Sequence, residues 1–108
     1  MPLYMVQASY MPQALAAMTR NPEDRTQAVR PLVEAAGGRL HNTFYCQGDY
    51  DAVIIFEVPD AEAANAIALA AVGAGHLKAY KTTALFTVEE IMGAMRKAAQ
   101  LTIRPPSG

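Results

Sequence analysis

The sequence predicts an α+β domain built on a four-stranded antiparallel sheet, and three observations lead there. Four β-rich segments alternate with helix signals in the order β-α-β-β-α-β. The two middle strands are separated only by Gly48-Asp49-Tyr50, a hairpin connection. No internal repeat, linker or low-complexity segment interrupts that order. Right-handed crossovers turn it into a ferredoxin-like sheet with two helices on one face, followed here by an extra C-terminal helix.

Leu3 to Tyr10 is the first strand, with Pro2 at its start, where a missing donor does least harm. Pro12 opens a short helix through about Met18, since proline suits the first helical position. Asn21-Pro22-Glu23-Asp24 is a stronger start signal, combining a cap, a proline and two acids favoured by the helix dipole. That helix is expected to reach Ala36 and stop at Gly37-Gly38, with a kink at Pro31. Arg39 to Cys46 and Ala52 to Val58 form the hairpin. Asp60 caps a helix over Ala61 to Ala74, mostly alanine with Ile67, Leu69 and Val72, and its small side chains predict close approach to the sheet. His76 to Phe86 is the fourth strand, and Thr87-Val88-Glu89-Glu90 reads as a capping box. The helix behind it carries Ile91, Met95 and Ala98 on one stripe. Residues 1–100 are read as one domain and residues 101–108, ending Arg104-Pro105-Pro106-Ser107-Gly108, as a flexible tail.

The 108 residues carry a net charge of -1, which gives no electrostatic reason to expect nucleic acid or an anionic membrane as partner. A single cysteine, Cys46, excludes an internal disulfide and fits a reducing compartment. No signal-like start precedes the first strand, and no apolar run approaches the ~20 residues that span a bilayer. The expectation is a cytoplasmic protein.

Polarity constrains the hairpin register. An odd-length loop through Tyr50 sets Phe44 opposite Ile54 and His41 opposite Glu57, gathering like with like on each face. Leu40, Phe44, Ala52, Ile54, Phe56 and Val58 are then expected under the helices. The other face receives His41, Thr43, Tyr45, Val53, Ile55 and Glu57, with Met5, Gln7 and Ser9 from the first strand and Tyr80 from the fourth. This second face is too apolar to stay bare. Either the C-terminal helix or another copy of the chain is expected to cover it.

Several segments together resemble the GYD domain family. They are the opening Met-Pro-Leu-Tyr-Met-Val-Gln-Ala-Ser-Tyr, Asn21-Pro22-Glu23-Asp24-Arg25, Gly37-Gly38-Arg39-Leu40, Gly48-Asp49-Tyr50-Asp51, Phe56-Glu57-Val58-Pro59-Asp60 and Ala79-Tyr80-Lys81-Thr82-Thr83. The resemblance implies a small bacterial domain related to the dimeric α+β barrels, in which two sheets pack face to face around a small-molecule pocket. It implies no reaction and no catalytic residue.

His41 and Glu57 are the candidate catalytic pair, because a carboxylate beside a histidine fixes its tautomer and raises its basicity. Such pairs also occur as purely structural contacts at wet interfaces. Gln7, His41, Tyr45, Glu57 and Tyr80 are the candidate ligand-binding residues, on the face away from the helices. Tyrosines in such places more often pack an interface with a satisfied hydroxyl. Cys46, His41 and His76 lack a metal-ligand spacing, so no metal or other cofactor is expected. Pro2 would become an N-terminal secondary amine on loss of Met1, a general base in some tautomerases, although the chain lacks clear cationic residues nearby.

The reading that follows is a homo-oligomer, dimeric or higher, that binds a small ligand against the second face of its sheet. The alternatives are a cofactor-independent monooxygenase-like or isomerase-like enzyme, using His41 with Glu57 or the Pro2 amine, and a purely structural oligomer.

Overall fold

In the computed structural model, which describes residues 1–107, the chain runs β1 (Leu3–Tyr10), α1 (Pro12–Arg20), α2 (Thr26–Ala35), β2 (Arg39–Tyr45), β3 (Ala52–Glu57), α3 (Ala61–Gly73), β4 (Leu77–Leu85) and α4 (Val88–Ala98). The strands form one antiparallel sheet in the order β2-β3-β1-β4. This is the ferredoxin-like arrangement expected.

One face of the sheet builds the core. Val6 and Ala8 of β1, Leu40 of β2, and Ala52 and Phe56 of β3 are buried there, with Val58 just beyond β3. Val33 of α2 and Ala64 and Ile67 of α3 close over them. Tyr4 and Phe56, direct partners across β1 and β3, stack with ring centroids 6.0 Å apart. A side chain such as Phe56 contributes about 1.5–3 kcal/mol by leaving water.

The Asp60 and Thr87 capping signals hold, and one helix start is corrected. Asp60 caps α3 through the Ala63 N–H at 2.9 Å, and Thr87 and Glu90 form the expected capping box on α4. However, α2 begins at Thr26, not at Pro22. The Asp24 carboxylate accepts the Thr26 N–H at 2.9 Å and its carbonyl accepts from Gln27, so the acid caps the helix from outside it. Hydrogen bonding from the Thr26 side chain, and then from its N–H, holds the Asp24 carboxyl below its ordinary value. At the far end Gly37 N–H bonds the Glu34 carbonyl and Gly38 N–H bonds the Val33 carbonyl, a Schellman motif with Gly37 at φ +86°. Gly38 is needed for space, because a Cβ there would collide with the Glu57 carbonyl oxygen.

The hairpin register departs from the expected one. Tyr45 pairs with Ala52, Phe44 with Val53, Thr43 with Ile54 and Asn42 with Ile55. A bulge at His41 then shifts the pairing by one residue, so that Leu40 meets Phe56 and Arg39 meets Glu57. The connection is therefore even-length, not the odd-length loop expected. Polarity matching missed it because the bulge lets the loop-proximal half of β2 take the even register while Leu40 still faces the core. Phe44 therefore sits on the outer face, 54% exposed, while Thr43 and Tyr45 join Ile54 and Ala52 on the helix-covered face. Tyr80 is corrected in the same direction, since it pairs with the buried Ala8. Met5, Gln7 and Ser9 lie on the outer face as expected, each sharing it with a β3 or β4 partner.

Candidate functional site: a cavity between two helices

The helices sit over the edges of the sheet. α2 makes its main sheet contact with β2 and α3 with β4, the two edge strands, while Val33, Ala64 and Ile67 reach inward over β1 and β3. Between the helices lies a cavity of about 280 Å³. Its floor is Val6, Ala8, Ala52, Ile54 and Phe56. Its walls are Ala28, Val29 and Leu32 of α2 facing Ile67, Ala70 and Ala71 of α3. Ala64 packs into the core against the sheet, whereas Ala70 and Ala71 further along α3 line the cavity. Larger side chains at those two positions would fill it.

Polar groups gather at one end, where β1 finishes and β4 begins. Tyr10, Arg25, His76 and Tyr80 all line the cavity there, and Tyr45 reaches the Tyr10 hydroxyl from β2. Burial pushes the Tyr10 phenol above its usual pKa, Tyr45 beside it adds to the rise, and the Arg25 guanidinium opposes it. Tyr80 is likewise raised by burial, with Thr82 acting against the shift. Arg25 pairs with Glu23 at 3.0 Å on the solvent side.

The hairpin loop positions this end. The Asp51 carboxylate accepts the Tyr10 N–H at 2.9 Å, and the Asp51 N–H donates to the Ala8 carbonyl at 2.9 Å. The Ser9 hydroxyl donates to the Asp49 carbonyl at 3.2 Å. Gly48-Asp49-Tyr50-Asp51 thus fastens the loop to the last residues of β1, just where β1 carries a register irregularity between Ser9 and Tyr10. The tyrosine that heads the cavity is held by its own backbone.

The residues singled out from sequence divide between two faces. Gln7, His41 and Glu57 lie on the outer face, whereas Tyr45 and Tyr80 lie on the cavity side. His41 and Glu57 do approach, Nε2 to Oε2 at 3.7 Å, but from the bulge and not as direct partners. The direct partner of Glu57 is Arg39, whose Nε lies 3.3 Å from the other carboxylate oxygen. Glu57 is therefore shared, and the separation from His41 is longer than a hydrogen bond. Pro2 sits in an open groove with Leu85, Phe86 and Glu90, and its carbonyl accepts the Val58 N–H. Among the described residues no three of His, Cys, Asp and Glu converge as metal ligands would, and no helix is long and apolar enough to cross a membrane.

Tyr10, Arg25 and His76 were not among the candidates from sequence. Strand alternation puts Tyr10 on the face of Val6 and Ala8, so it was legible in principle. Arg25 and His76 carry no such signal, because only the spacing of α2 and α3 brings them to one opening.

Two solved structures share the fold. MtbAldR superposes with a TM-score of 0.57 at 12% identity, over 80% of this chain and 52% of its own. The chain thus spans about half the length of MtbAldR. TTHA0845 from Thermus thermophilus superposes with a TM-score of 0.53 at 15% identity, over 82% of this chain and 96% of its own. No curated protein sequence matches the chain. The family model of the GYD domain matches residues 4–95 and so takes in nearly all of the sheet, the loop that fastens Tyr10 and both walls of the cavity. This chain belongs to the GYD domain family.

Proposed function

We propose that this chain is a self-associating domain that binds a small, largely apolar molecule between α2, α3 and the sheet. The observation that carries this is the cavity itself. Protein interiors are close-packed, and about 280 Å³ of space lined by alanine, valine and leucine is far more than packing defects leave. It lies near the lower end of ligand-pocket volumes, and its few polar groups converge at one opening. Native mass spectrometry of the purified protein tests the reading. A small molecule should be retained, and Ala71→Phe, which fills the cavity from α3, should abolish retention. A protein that retains nothing, and whose cavity-lining methyl signals respond to no apolar probe, would overturn it.

Self-association is supported on the opposite side. Leu3, Met5, Val53, Ile55 and Leu85 are only partly covered there, and Phe44 is largely exposed. No residue of α4 is buried, although Ile91, Met92 and Met95 line it, so α4 does not cover that face. The radius of gyration is 17.6 Å, with a longest extent of 58 Å, against about 13 Å for a compact chain of this length. An isolated helix of 11 residues is marginal in water, where stability needs roughly 12–15. A second copy would cover both surfaces. Acid–base chemistry at His41 is the weaker alternative, because Arg39 already holds the Glu57 carboxylate.

A further inference from the structure

The cavity is apolar along its length and cationic at its mouth, and we infer that its ligand is an amphiphilic monocarboxylate. The inference rests on the binding reading above. Its hydrocarbon part would lie between α2 and α3, and its carboxylate would meet Arg25.

Three features of the site select that chemistry. The first is Arg25, a permanently charged side chain that lines the cavity at its polar end. A guanidinium beside apolar walls is costly unless an anion or acceptor meets it. In the free chain that partner is Glu23 at 3.0 Å, an acid more than half exposed and therefore a weak, replaceable partner. A ligand carboxylate inside the mouth could pair with the planar fork through two parallel hydrogen bonds, the geometry arginine favours.

The second is Tyr10, half-buried beside Arg25. Its phenol is protonated at neutral pH, so it offers a second hydrogen-bond donor at the same end of the cavity. A carboxylate has acceptors for both groups, whereas an ammonium has none and would be repelled by Arg25. Asp51, whose carboxylate accepts the Tyr10 N–H, forms no direct ion pair with Arg25, whose partner within 4 Å is Glu23.

The third is size. About 280 Å³ equals the liquid volume of about nine waters, which suits a medium-length alkyl chain or one small ring and excludes long acyl chains.

A three-probe comparison tests this on the intact chain. Octanoate, octan-1-ol and octylamine share a tail and differ only in the head. Titration followed by amide and methyl NMR should show octanoate binding at least tenfold tighter than the alcohol, and octylamine weakest. Arg25→Gln should bring the octanoate-to-octanol affinity ratio close to one, and Arg25→Lys should restore part of the preference. Circular dichroism confirms that each variant is folded. If octanol binds as tightly as octanoate in the unmodified protein, or if Arg25→Gln leaves the preference intact, the carboxylate assignment is wrong while the cavity reading stands. If none of the three probes shifts the signals of Val29, Leu32 or Ile67, the cavity reading itself falls.

Discussion

Asp51 receives the backbone N–H of Tyr10 on its carboxylate at 2.9 Å, joining positions 41 residues apart. The contact explains a loop that a turn alone would not. Gly48 and Asp49 suffice to reverse the chain, but Asp51 caps β1 beyond the last β3 pair, Ala8 with Ala52. It therefore links the hairpin to the residue that heads the cavity.

Asp51→Ala should leave the Tyr10 N–H without its partner and cost about 1–3 kcal/mol, because the group is partly buried. Asp51→Asn retains an acceptor and should cost less. Urea unfolding reads both. Equal midpoints for Asp51→Ala and the parent would show the bond is unimportant.

Gly38→Ala and Gly73→Ala should have opposite signs. A Cβ at Gly38 would meet backbone, the Glu57 carbonyl oxygen, and overpacking of that kind costs about 3 kcal/mol or more. At Gly73, the last residue of α3, the same atom meets nothing within 4 Å, and alanine should gain about 0.5–1 kcal/mol of helix propensity. Thermal unfolding of both variants separates the outcomes.

Ile91→Glu and Met95→Glu should weaken self-association about tenfold or more, equivalent to about 1.4 kcal/mol, without loss of monomer stability. Both side chains are exposed in the single chain, so a charge there costs nothing until a partner arrives. Light scattering on a size-exclusion peak gives the mass. A parent protein running as a clean 11.6 kDa monomer at micromolar concentration would remove the premise.

Phenolate absorbance should show Tyr10 and Tyr80 ionising later than free tyrosine, since both pKa values are raised chiefly by burial. The linkage sign follows. The folded state holds its phenol protons more tightly, so their contribution is present below the unfolded value of 10.0 and is lost as pH rises through the folded value. Tyr10→Phe should remove one late-titrating group and flatten part of that alkaline loss of stability. An unchanged alkaline titration would contradict the burial of Tyr10.

Much of this protein is local and therefore legible from its residues. The strand segments, the Asp60 cap, the Thr87–Glu90 box, the Gly37-Gly38 stop and the family itself follow from short-range chemistry that any window of the chain displays. The register of β2 does not, because the bulge at His41 depends on how Leu40 and Tyr45 each settle against β3. The even-length connection put Phe44 out and Tyr45 in, and the bulge then set Arg39 opposite Glu57. The site was decided at longer range still. Alanines at Ala28, Ala70 and Ala71 permit either close packing or an empty space, and only the placement of α2 over β2 and α3 over β4 selects the space. Side-chain identity sets what a surface can hold, while the separation of two helices, a sum of contacts along both, decides whether there is room to hold it.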